Sequence, residues 1–235
     1  MMQRWSEDTI RFMEDASVYG NYHKELTDIL LPYLPTHGHV CDAGCGLGHL
    51  ALELSKVCSK VTAVDASANA LKGLMARELP HNLSVLHGDV FAMEKNYDAM
   101  VFCYFGKTDE ILRLAEAGRT DRIIVVRRDC GAHSFSSTPV LRGNHGIDSL
   151  KERLEERKIP YFSQNISLEL GQPFRSFEDA LHFFRLYNKS DRPISENKLK
   201  EKLIPTEKNP YCLYYPSMRD MELIVFDTIF MERIL

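Results

Sequence analysis

The sequence has no apolar run approaching the ~20 residues that a membrane-spanning helix needs, and its opening residues, MMQRWSEDTI, lack the apolar segment of a secretory signal. These absences predict a cytoplasmic protein with no membrane partner. The sequence also has no excess of positive charge, because 29 lysines and arginines are set against 33 acidic residues, for a net charge of −4. Such a chain produces no long-range field that would attract a polyanion, which argues against a nucleic-acid partner.

Cysteine is present, but it follows no metal-binding or disulfide spacing. No Cys-x-x-Cys pair occurs, and several cysteines lie inside apolar runs, where a thiol acts as a small hydrophobic group. We therefore expect reduced thiols and no metal site. The six cysteines are Cys41, Cys45, Cys58, Cys103, Cys130 and Cys212.

From residue 39 onward, short apolar runs alternate with amphipathic stretches. The runs are typical of parallel strands covered on both faces, and the stretches between them carry apolar residues at helical spacing, such as Leu50, Leu54 and Val57. This alternation predicts an α/β fold with a mostly parallel sheet and helices on both faces. The predicted strands of the first half are residues 39–41, 60–64, 83–87, 98–103 and 122–126.

The flanking segments complete what we expect to be a single domain, because 235 residues with 44% hydrophobic content ordinarily fold around one sheet. Residues 1–37 predict helices that cover one rim of the sheet, and residues 38–170 are the predicted core. Residues 171–220 predict an insert with an amphipathic helix, a weaker charged helix at SENKLKEKL and an aromatic patch. Residues 221–235 predict the final strand. We expect the N-terminal helices and the insert to form a lid over the substrate.

The stretch VCDAGCGLGHLALEL, residues 40–54, places Gly44, Gly46 and Gly48 between a strand and a helical run. Glycine suits such a turn because it accepts positive φ and lets a ligand approach the backbone. The spacing G-x-G-x-G differs from the dinucleotide fingerprint G-x-G-x-x-G, whose third glycine would fall at His49. The glycines alone leave open whether the turn binds a dinucleotide, a phosphate-free nucleoside or nothing.

Asp42 narrows that choice. A carboxylate would repel a diphosphate, whereas it would attract a ligand with an ammonium group. S-adenosylmethionine is such a ligand, since it has no phosphate, carries an ammonium and a sulfonium, and offers a carboxylate to a helix N-terminus. Asp65 and Asp89 end the next two predicted strands, so that three acids line the crevice in which open α/β sheets bind their ligands.

Four motifs, VCDAGCGLG, VTAVDAS, HGDV and YDAMVFCYFG, follow one another in the order and spacing of the class I S-adenosylmethionine-dependent methyltransferases, which the chain resembles over residues 38–127. The resemblance implies a seven-stranded, Rossmann-like sheet whose last strand is antiparallel and inserted beside the fifth. It also implies that the chain transfers a methyl group from S-adenosylmethionine.

By the same resemblance, the cofactor-binding residues fall into groups along the crevice. The methionyl part is assigned to Asp42 and the turn Gly44, Cys45, Gly46 and Gly48; the ribose to Asp65, followed by Ala66; the adenine edge to Asp89 and Val90; and the sulfonium to Cys103 and Tyr104.

Methyl transfer is an in-line displacement at an activated carbon, so the protein chiefly has to position the acceptor, and a general base is not obligatory. No residue stands out as catalytic among the candidates at the rim, which are Tyr22, His23, Tyr104, His133, Arg142 and His145. The turn after the fourth strand, residues 103–106, reads CYFG, unlike the Asn/Asp-Pro-Pro-Tyr/Phe turn of the enzymes that methylate amino groups of nucleic-acid bases. Together with the acidic net charge, this favours a small-molecule methyl acceptor.

Two alternatives remain open on the sequence. An RNA or protein acceptor would be favoured if a set of basic residues clustered on one face, namely Arg175, Arg185, Lys189, Arg192 and Lys198. A chain without an assignable base is also compatible with a non-catalytic protein that binds S-adenosylmethionine or S-adenosylhomocysteine.

Overall fold

The computed structural model describes residues 5–94, 96–128, 147–188 and 195–231. Their strands form one large and one small sheet. The large sheet contains β1 (His39–Ala43), β2 (Lys60–Asp65), β3 (Leu83–His87), β4 (Tyr97–Cys103), β5 (Thr120–Arg127), β6 (Phe162–Glu169) and β10 (Met218–Asp227). The small sheet contains β7 (Gln172–Phe174), β8 (Ile204–Pro205) and β9 (Leu213–Tyr215).

The large sheet has the strand order β3-β2-β1-β4-β5-β10-β6. Strands β1 to β5 pair in parallel, and β10 is antiparallel to both β5 and β6. This arrangement confirms the predicted α/β fold with its antiparallel last strand beside the fifth. The strand begins at Met218 rather than at residue 221, and it ends at Asp227, where residues 228–230 turn into a short 3-10 helix.

The described helices are α1 (Glu7–Tyr19), α2 (Tyr22–Leu30), α3 (His49–Leu54), α4 (Ala68–Met75), α5 (Thr108–Glu116), α6 (Ile147–Glu156), α7 (Phe177–Tyr187) and α8 (Glu196–Lys202). Several begin at serine caps, whose side chains accept hydrogen bonds from otherwise unpaired backbone amides; these are Ser6, Ser67, Ser176 and Ser195. Within the described residues, no helix is both long and apolar enough to span a bilayer.

Helix α3 is shorter than its apolar spacing predicts. It ends at Leu54, and Val57 lies beyond it with a solvent-exposed side chain. The side-chain amide of Asn82 donates hydrogen bonds to the carbonyls of Ser55 and Cys58, 2.8 and 2.9 Å away. These contacts replace the next helical turn, because they satisfy carbonyls that a longer helix would have paired internally.

Side chains alternate between the two faces of the large sheet and bury two separate cores. Helices α2, α3 and α4 cover one face, where their leucines pack on residues such as Val40 and Val101. Helices α5 and α6 cover the other face, where they pack on neighbours one position along, such as Cys41 and Phe102. Because both faces are buried, the central strands are apolar throughout, as the sequence indicated.

The predicted insert combines with the N-terminal helix α1 in a third core, which the sequence did not predict. Phe12 of α1 packs against Phe174 of β7 and Phe183 of α7, with ring centroids 6.4 and 4.9 Å apart. The insert contains the predicted helices α7 and α8, but also the small sheet, which no clear alternation in the sequence had indicated. Its strands are two or three residues long, too short for a periodic pattern.

Gly73 on the exposed side of α4 offers a test of backbone entropy. A Cβ at this position would meet no atom within 4 Å. Replacing Gly73 by alanine should therefore raise the free energy of unfolding by about 0.5–1 kcal/mol, because alanine loses less conformational entropy in a helix. Gly118 also has open space around its Cβ position but has a φ of +63°. Urea unfolding of Gly118→Ala should show a loss of about 1–2 kcal/mol instead, and a gain at Gly118 or a loss at Gly73 would contradict this reasoning.

Candidate active site

The turn between β1 and α3, residues 44–48, forms the centre of the candidate site, and we call it the cofactor loop. Gly44, Gly46 and Gly48 have φ values of +70°, +55° and +75°. L-residues with a side chain rarely adopt this region, so glycine is required for the path of the loop. The amides of Gly44 and Cys45 both donate to the carbonyl of Val64, at 2.8 and 3.0 Å, which ties the loop to the end of β2.

Each glycine of the cofactor loop also leaves room for a neighbouring side chain. A Cβ on Gly44 would lie 2.1 Å from the ring of Phe105, and one on Gly48 would lie 2.3 Å from Leu74. A Cβ on Gly46 would come within 3.0 Å of the indole ring of Trp5, just before α1. The sequence predicted that these glycines let a ligand approach the backbone. In the structure they also make room for the side chains of neighbouring residues.

Asp42 lies beneath the cofactor loop and is 2% exposed. One carboxylate oxygen, Oδ2, has no hydrogen-bond partner, whereas the backbone amide of Ala51 donates to the carboxylate. Burial raises the pKa of Asp42 to about 7, and the negative charge of Asp65 adds to the rise. A buried carboxylate with an unpaired oxygen is costly unless a cation or a proton compensates it.

Asp65 at the end of β2 organises the loop on the other side. Its Oδ2 accepts a hydrogen bond from the amide of Gly46 and its Oδ1 accepts one from the amide of Ser67, both at 2.8 Å. Each carboxylate oxygen has a second lone pair, so the same group can accept two further hydrogen bonds from a ligand. The structure thus brings Asp42 and Asp65 to the same loop, as their spacing predicted.

The residues assigned to the adenine edge follow β3. Asp89 is exposed, and its carboxylate accepts a hydrogen bond from the amide of Phe91 at 3.0 Å. The side chain of Val90 is buried in the core beneath α5. Ala66 is exposed directly after Asp65.

Two aromatic rings in this region were not predicted from the sequence. Phe91 and Phe105 stack with centroids 5.7 Å apart and planes inclined by 14°. They come from the turns after β3 and β4, and Phe105 reaches the cofactor loop at Gly44. Aromatic residues directly after two strand ends were the available signal, but in the sequence they are indistinguishable from core residues.

At the end of β4, Tyr104 has a φ of +56°, a conformation that is strained for a residue with a side chain. Its hydroxyl accepts a hydrogen bond from the hydroxyl of Tyr22 at 3.2 Å, and both hydroxyls contact Sδ of Met221. Tyr104 is 45% exposed, whereas Cys103 before it is half-buried. Tyr22 and Tyr104 thus connect the helical cover to the strand end that the resemblance assigned to the sulfonium.

The described rim residues include no effective general base. Burial raises the pKa of Tyr104 to about 12 and that of Tyr22 well above its ordinary value, so both phenols keep their protons. Burial lowers the pKa of His23 to about 3, helped by the charge of His49, and its ring hydrogen-bonds with Ser17. The remaining candidates, His133, Arg142 and His145, lie outside the described residues.

Arg127 at the end of β5 holds the turn after β4. Its guanidinium donates to the carbonyl of Gly106 at 2.6 Å and to the hydroxyl of Thr108 at 3.3 Å. The side chain is buried, and desolvation lowers its pKa. Arg127 therefore acts as a structural residue that fixes the turn carrying Tyr104 and Phe105.

Arg175, one of the basic residues that could bind an RNA or protein acceptor, is paired within the chain. Its guanidinium donates two hydrogen bonds of 2.7 Å to Asp15. Arg185 and Lys198 are exposed on α7 and α8, while Lys189 and Arg192 lie outside the described residues. The charge of Arg175 is thus compensated.

Cysteines and acids of the described ranges form no metal centre. No group of three or more histidine, cysteine or acidic side chains in this part of the chain is arranged to hold a metal ion. Among the described cysteines, Cys41, Cys45, Cys58, Cys103 and Cys212 form no disulfide bond, and Cys130 lies outside the described residues.

The site fits a cationic nucleoside better than a diphosphate. The unpaired oxygen of Asp42 needs a cation, and Asp65 adds a second negative charge at the same loop. An ammonium at this position would gain Coulomb energy, whereas a diphosphate would be repelled. S-adenosylmethionine, which carries an ammonium and no phosphate, meets both conditions.

Comparisons with known proteins agree with this geometry. Residues 40–119 match the family described as "Methyltransferase domain". No curated protein matches the chain.

Three solved structures illustrate the likeness in fold. The YcgJ protein of Bacillus subtilis has a TM-score of 0.52 and 12% identity, over 87% of this chain and 98% of that one. A protein of Bacillus halodurans, provisionally described as a methyltransferase, has a TM-score of 0.53 and 15% identity, over 89% and 99%. A cyclopropane-fatty-acyl-phospholipid synthase-like protein of Lactobacillus casei has a TM-score of 0.51 and 13% identity, over 93% and 92%. Residues 40–119 therefore match a methyltransferase domain, a family whose methyl donor is S-adenosylmethionine, and the seven-stranded sheet around them shares its fold with these solved structures.

Proposed function

We propose that the chain transfers a methyl group from S-adenosylmethionine to a small-molecule acceptor. When bound, the cofactor supplies a methyl group already activated by its sulfonium. In this proposal Asp42 receives the ammonium, Asp65 the ribose hydroxyls and the turn at Asp89 and Val90 the adenine, while Tyr104 borders the reacting carbon. The protein then has to exclude water and align the acceptor, which is where most of the rate acceleration of such a displacement originates.

The observation that carries the small-molecule proposal is the cover over the end of β4. Tyr22 of α2 hydrogen-bonds to Tyr104, and Trp5 before α1 contacts the cofactor loop at Gly46. An acceptor next to the sulfonium therefore has to fit between the sheet and these helices. A site that helices partly cover suits a metabolite better than a folded RNA or protein surface.

We further propose that α1 and the insert form one rigid lid over the substrate. The carboxylate of Asp15 on α1 accepts two hydrogen bonds from Arg175 and one from the hydroxyl of Tyr211 at 2.9 Å. Arg11 donates to Asp179 of α7 at 2.6 Å, and the ring of Tyr19 stacks on Tyr214 at 4.6 Å. These contacts and the shared core join two segments that are far apart in the sequence.

Replacing Asp15 by asparagine should lower the free energy of unfolding by about 1–3 kcal/mol, because two charge-assisted hydrogen bonds weaken and Arg175 loses its counter-charge. If the lid contributes to catalysis, kcat should fall more than the affinity for S-adenosylmethionine. Asp28→Asn is the matched control, since its ion pair with Lys24 is exposed and should change stability by less than ~0.5 kcal/mol. Equal effects of the two substitutions in urea unfolding would contradict the joined lid.

Asp65→Ala should weaken S-adenosylmethionine binding by about 1–3 kcal/mol, because hydrogen bonds to a charged group disappear from a half-buried site. Asp65→Asn retains one acceptor oxygen and should lose less. Isothermal titration calorimetry at constant pH and salt measures both. An unchanged affinity of the alanine variant would exclude Asp65 from the cofactor site.

Turnover tests the proposed function itself. The purified chain is incubated with S-adenosylmethionine and, separately, with the dialysable metabolites, the RNA and the proteins of a cell extract, and S-adenosylhomocysteine is measured. We expect release with the metabolite fraction, and we expect it to resist ribonuclease and protease. Release only with the RNA or protein fraction would establish the macromolecular alternative, and cofactor binding with no release in any fraction would indicate a non-catalytic binder.

A further inference from the structure

Two arginines from neighbouring strands meet at the edge of the large sheet at which the parallel strands end. Glu222 of β10 pairs with Arg127, the last residue of β5. The two strands are antiparallel, so the residues that precede Glu222 in β10, among them Arg219, extend past the end of β5. Arg128, the residue after β5, lies at the same end. Strand β4 lies on the other side of β5, so Tyr104, the residue after β4, lies at the same edge of the sheet as Arg128 and Arg219.

The pairing also determines the face on which Arg219 lies. Arg219 pairs with Leu168 of β6, and Met221 pairs with Ile166. Leu168, Ile166 and Met221 all belong to the core beneath α2. Directly paired residues point to the same side of a sheet, so Arg219 lies on the face that Tyr22 of α2 covers.

Charge and aromatic groups concentrate around Arg219, and we call Arg128, Arg219, Tyr22, Tyr104 and Tyr215 the arginine-tyrosine cluster. Burial and the nearby charge of Arg128 together lower the pKa of Arg219 to about 10, while Tyr104, Tyr22 and Tyr215 act in the opposite direction. Arg219 therefore remains a cation at neutral pH, held near a like charge in a chain whose net charge is −4. Such an arrangement is stabilised when an anion approaches it.

We propose that Arg219 and Arg128 bind an oxyanion of the methyl acceptor, so that the acceptor is a small molecule bearing a carboxylate or a phosphate. This inference rests on the proposed function, because it places the acceptor beside Tyr104. A guanidinium is a planar donor that matches both oxyanions in bidentate geometry. The tyrosine rings supply the apolar walls, and the hydroxyl of Tyr104 can donate its hydrogen bond to the oxyanion in place of Sδ of Met221.

The test compares probe pairs that differ in charge. Binding of benzoate and benzamide, and of phenyl phosphate and phenol, is measured by calorimetry on the full chain saturated with S-adenosylhomocysteine. We expect at least one oxyanion probe to bind tenfold or more tightly than its neutral counterpart, and the better of the two distinguishes a carboxylate from a phosphate. Equal affinities within both pairs would overturn the proposal, and this result needs no variant.

Substitutions locate the effect. Arg219→Gln should reduce the preference for the charged probe over its neutral counterpart at least tenfold, and Arg219→Lys should keep part of this preference. Arg128→Gln should also reduce it, although Tyr22 and Tyr104 are unchanged. Arg153→Gln removes an exposed arginine from α6 on the other face and should leave the preference unchanged. A preference that persists in both the Arg219→Gln and the Arg128→Gln chains would place the oxyanion elsewhere and overturn the assignment.

Separate results would contradict the proposed function and the proposed acceptor class. A wild-type chain that does not bind S-adenosylhomocysteine would contradict the proposed function. A chain that binds it and shows no charge preference contradicts only the acceptor class.

Discussion

The affinity for S-adenosylmethionine is expected to rise with pH, by up to tenfold per unit, until it levels off near pH 7. The physical reason is the burial of Asp42, which raises its pKa to about 7 in the free protein. An ammonium is attracted only by the ionised carboxylate, so binding below this pH has to release a proton. Calorimetry between pH 5.5 and about 7.5, which ends just below the ordinary α-amino pKa of about 7.7–8.0, measures both the affinity and the proton release.

Asp42→Asn separates this effect from other titrations. The variant should bind more weakly by about 1.5–3 kcal/mol at pH 7.5, and its affinity should be nearly independent of pH, so that the two proteins converge at low pH. Asp98→Asn is the matched control, because Asp98 lies at the start of β4, where it accepts a hydrogen bond from the amide of His39. A pH slope that survives in Asp42→Asn would assign the proton to another group.

The same pKa predicts the stability of the free protein. A carboxyl whose pKa is raised on folding contributes stability fully below its ordinary pKa near 4, and this contribution is lost as the pH rises toward 7. One pKa unit corresponds to about 1.4 kcal/mol. Asp42→Asn should therefore gain stability over the wild type as the pH increases, and saturating S-adenosylmethionine should remove the difference.

Gly44→Ala is expected to have the largest effect on the fold of the site. The substitution forces a side chain into a φ of +70° and places its Cβ 2.1 Å from the ring of Phe105. Strain of about 1–2 kcal/mol and a clash of about 1–3 kcal/mol should together lower the free energy of unfolding by ~2–5 kcal/mol. Because Phe105 or the loop has to move, cofactor affinity should fall more than tenfold.

A double-mutant cycle separates the two causes. In a Phe105→Ala background the clash is absent, so Gly44→Ala should cost only the strain, as Gly118→Ala does in the wild type, where no atom lies within 4 Å. Urea unfolding of the four proteins gives the coupling energy. An equal cost of Gly44→Ala in both backgrounds would show that Phe105 does not occupy the space.

Local pattern accounts for much of the fold and for the middle of the site. The five predicted strands of the first half occur within two residues of their observed ends, because a strand buried on both faces is readable from consecutive apolar residues. Asp65 and the glycines of the cofactor loop meet because each ends or follows a strand of one parallel sheet, a relation that depends on spacing alone. Where a segment was too short for a pattern, as in β7 to β9, the sequence contained no signal.

The amino-acid sequence by itself determined the parallel core, the loop that needs three glycines and the acids around it, since these follow from contacts between neighbouring segments. Only the tertiary structure decided which distant residues meet there. Trp5 reaches Gly46, Asp15 reaches Arg175 across 160 residues of sequence, and Arg219 reaches the end of β5. The burial of Asp42, and with it the raised pKa of its carboxyl group, also comes from packing. Such contacts carry no periodic signature, because they depend on how whole helices and strands pack together rather than on spacing along the chain.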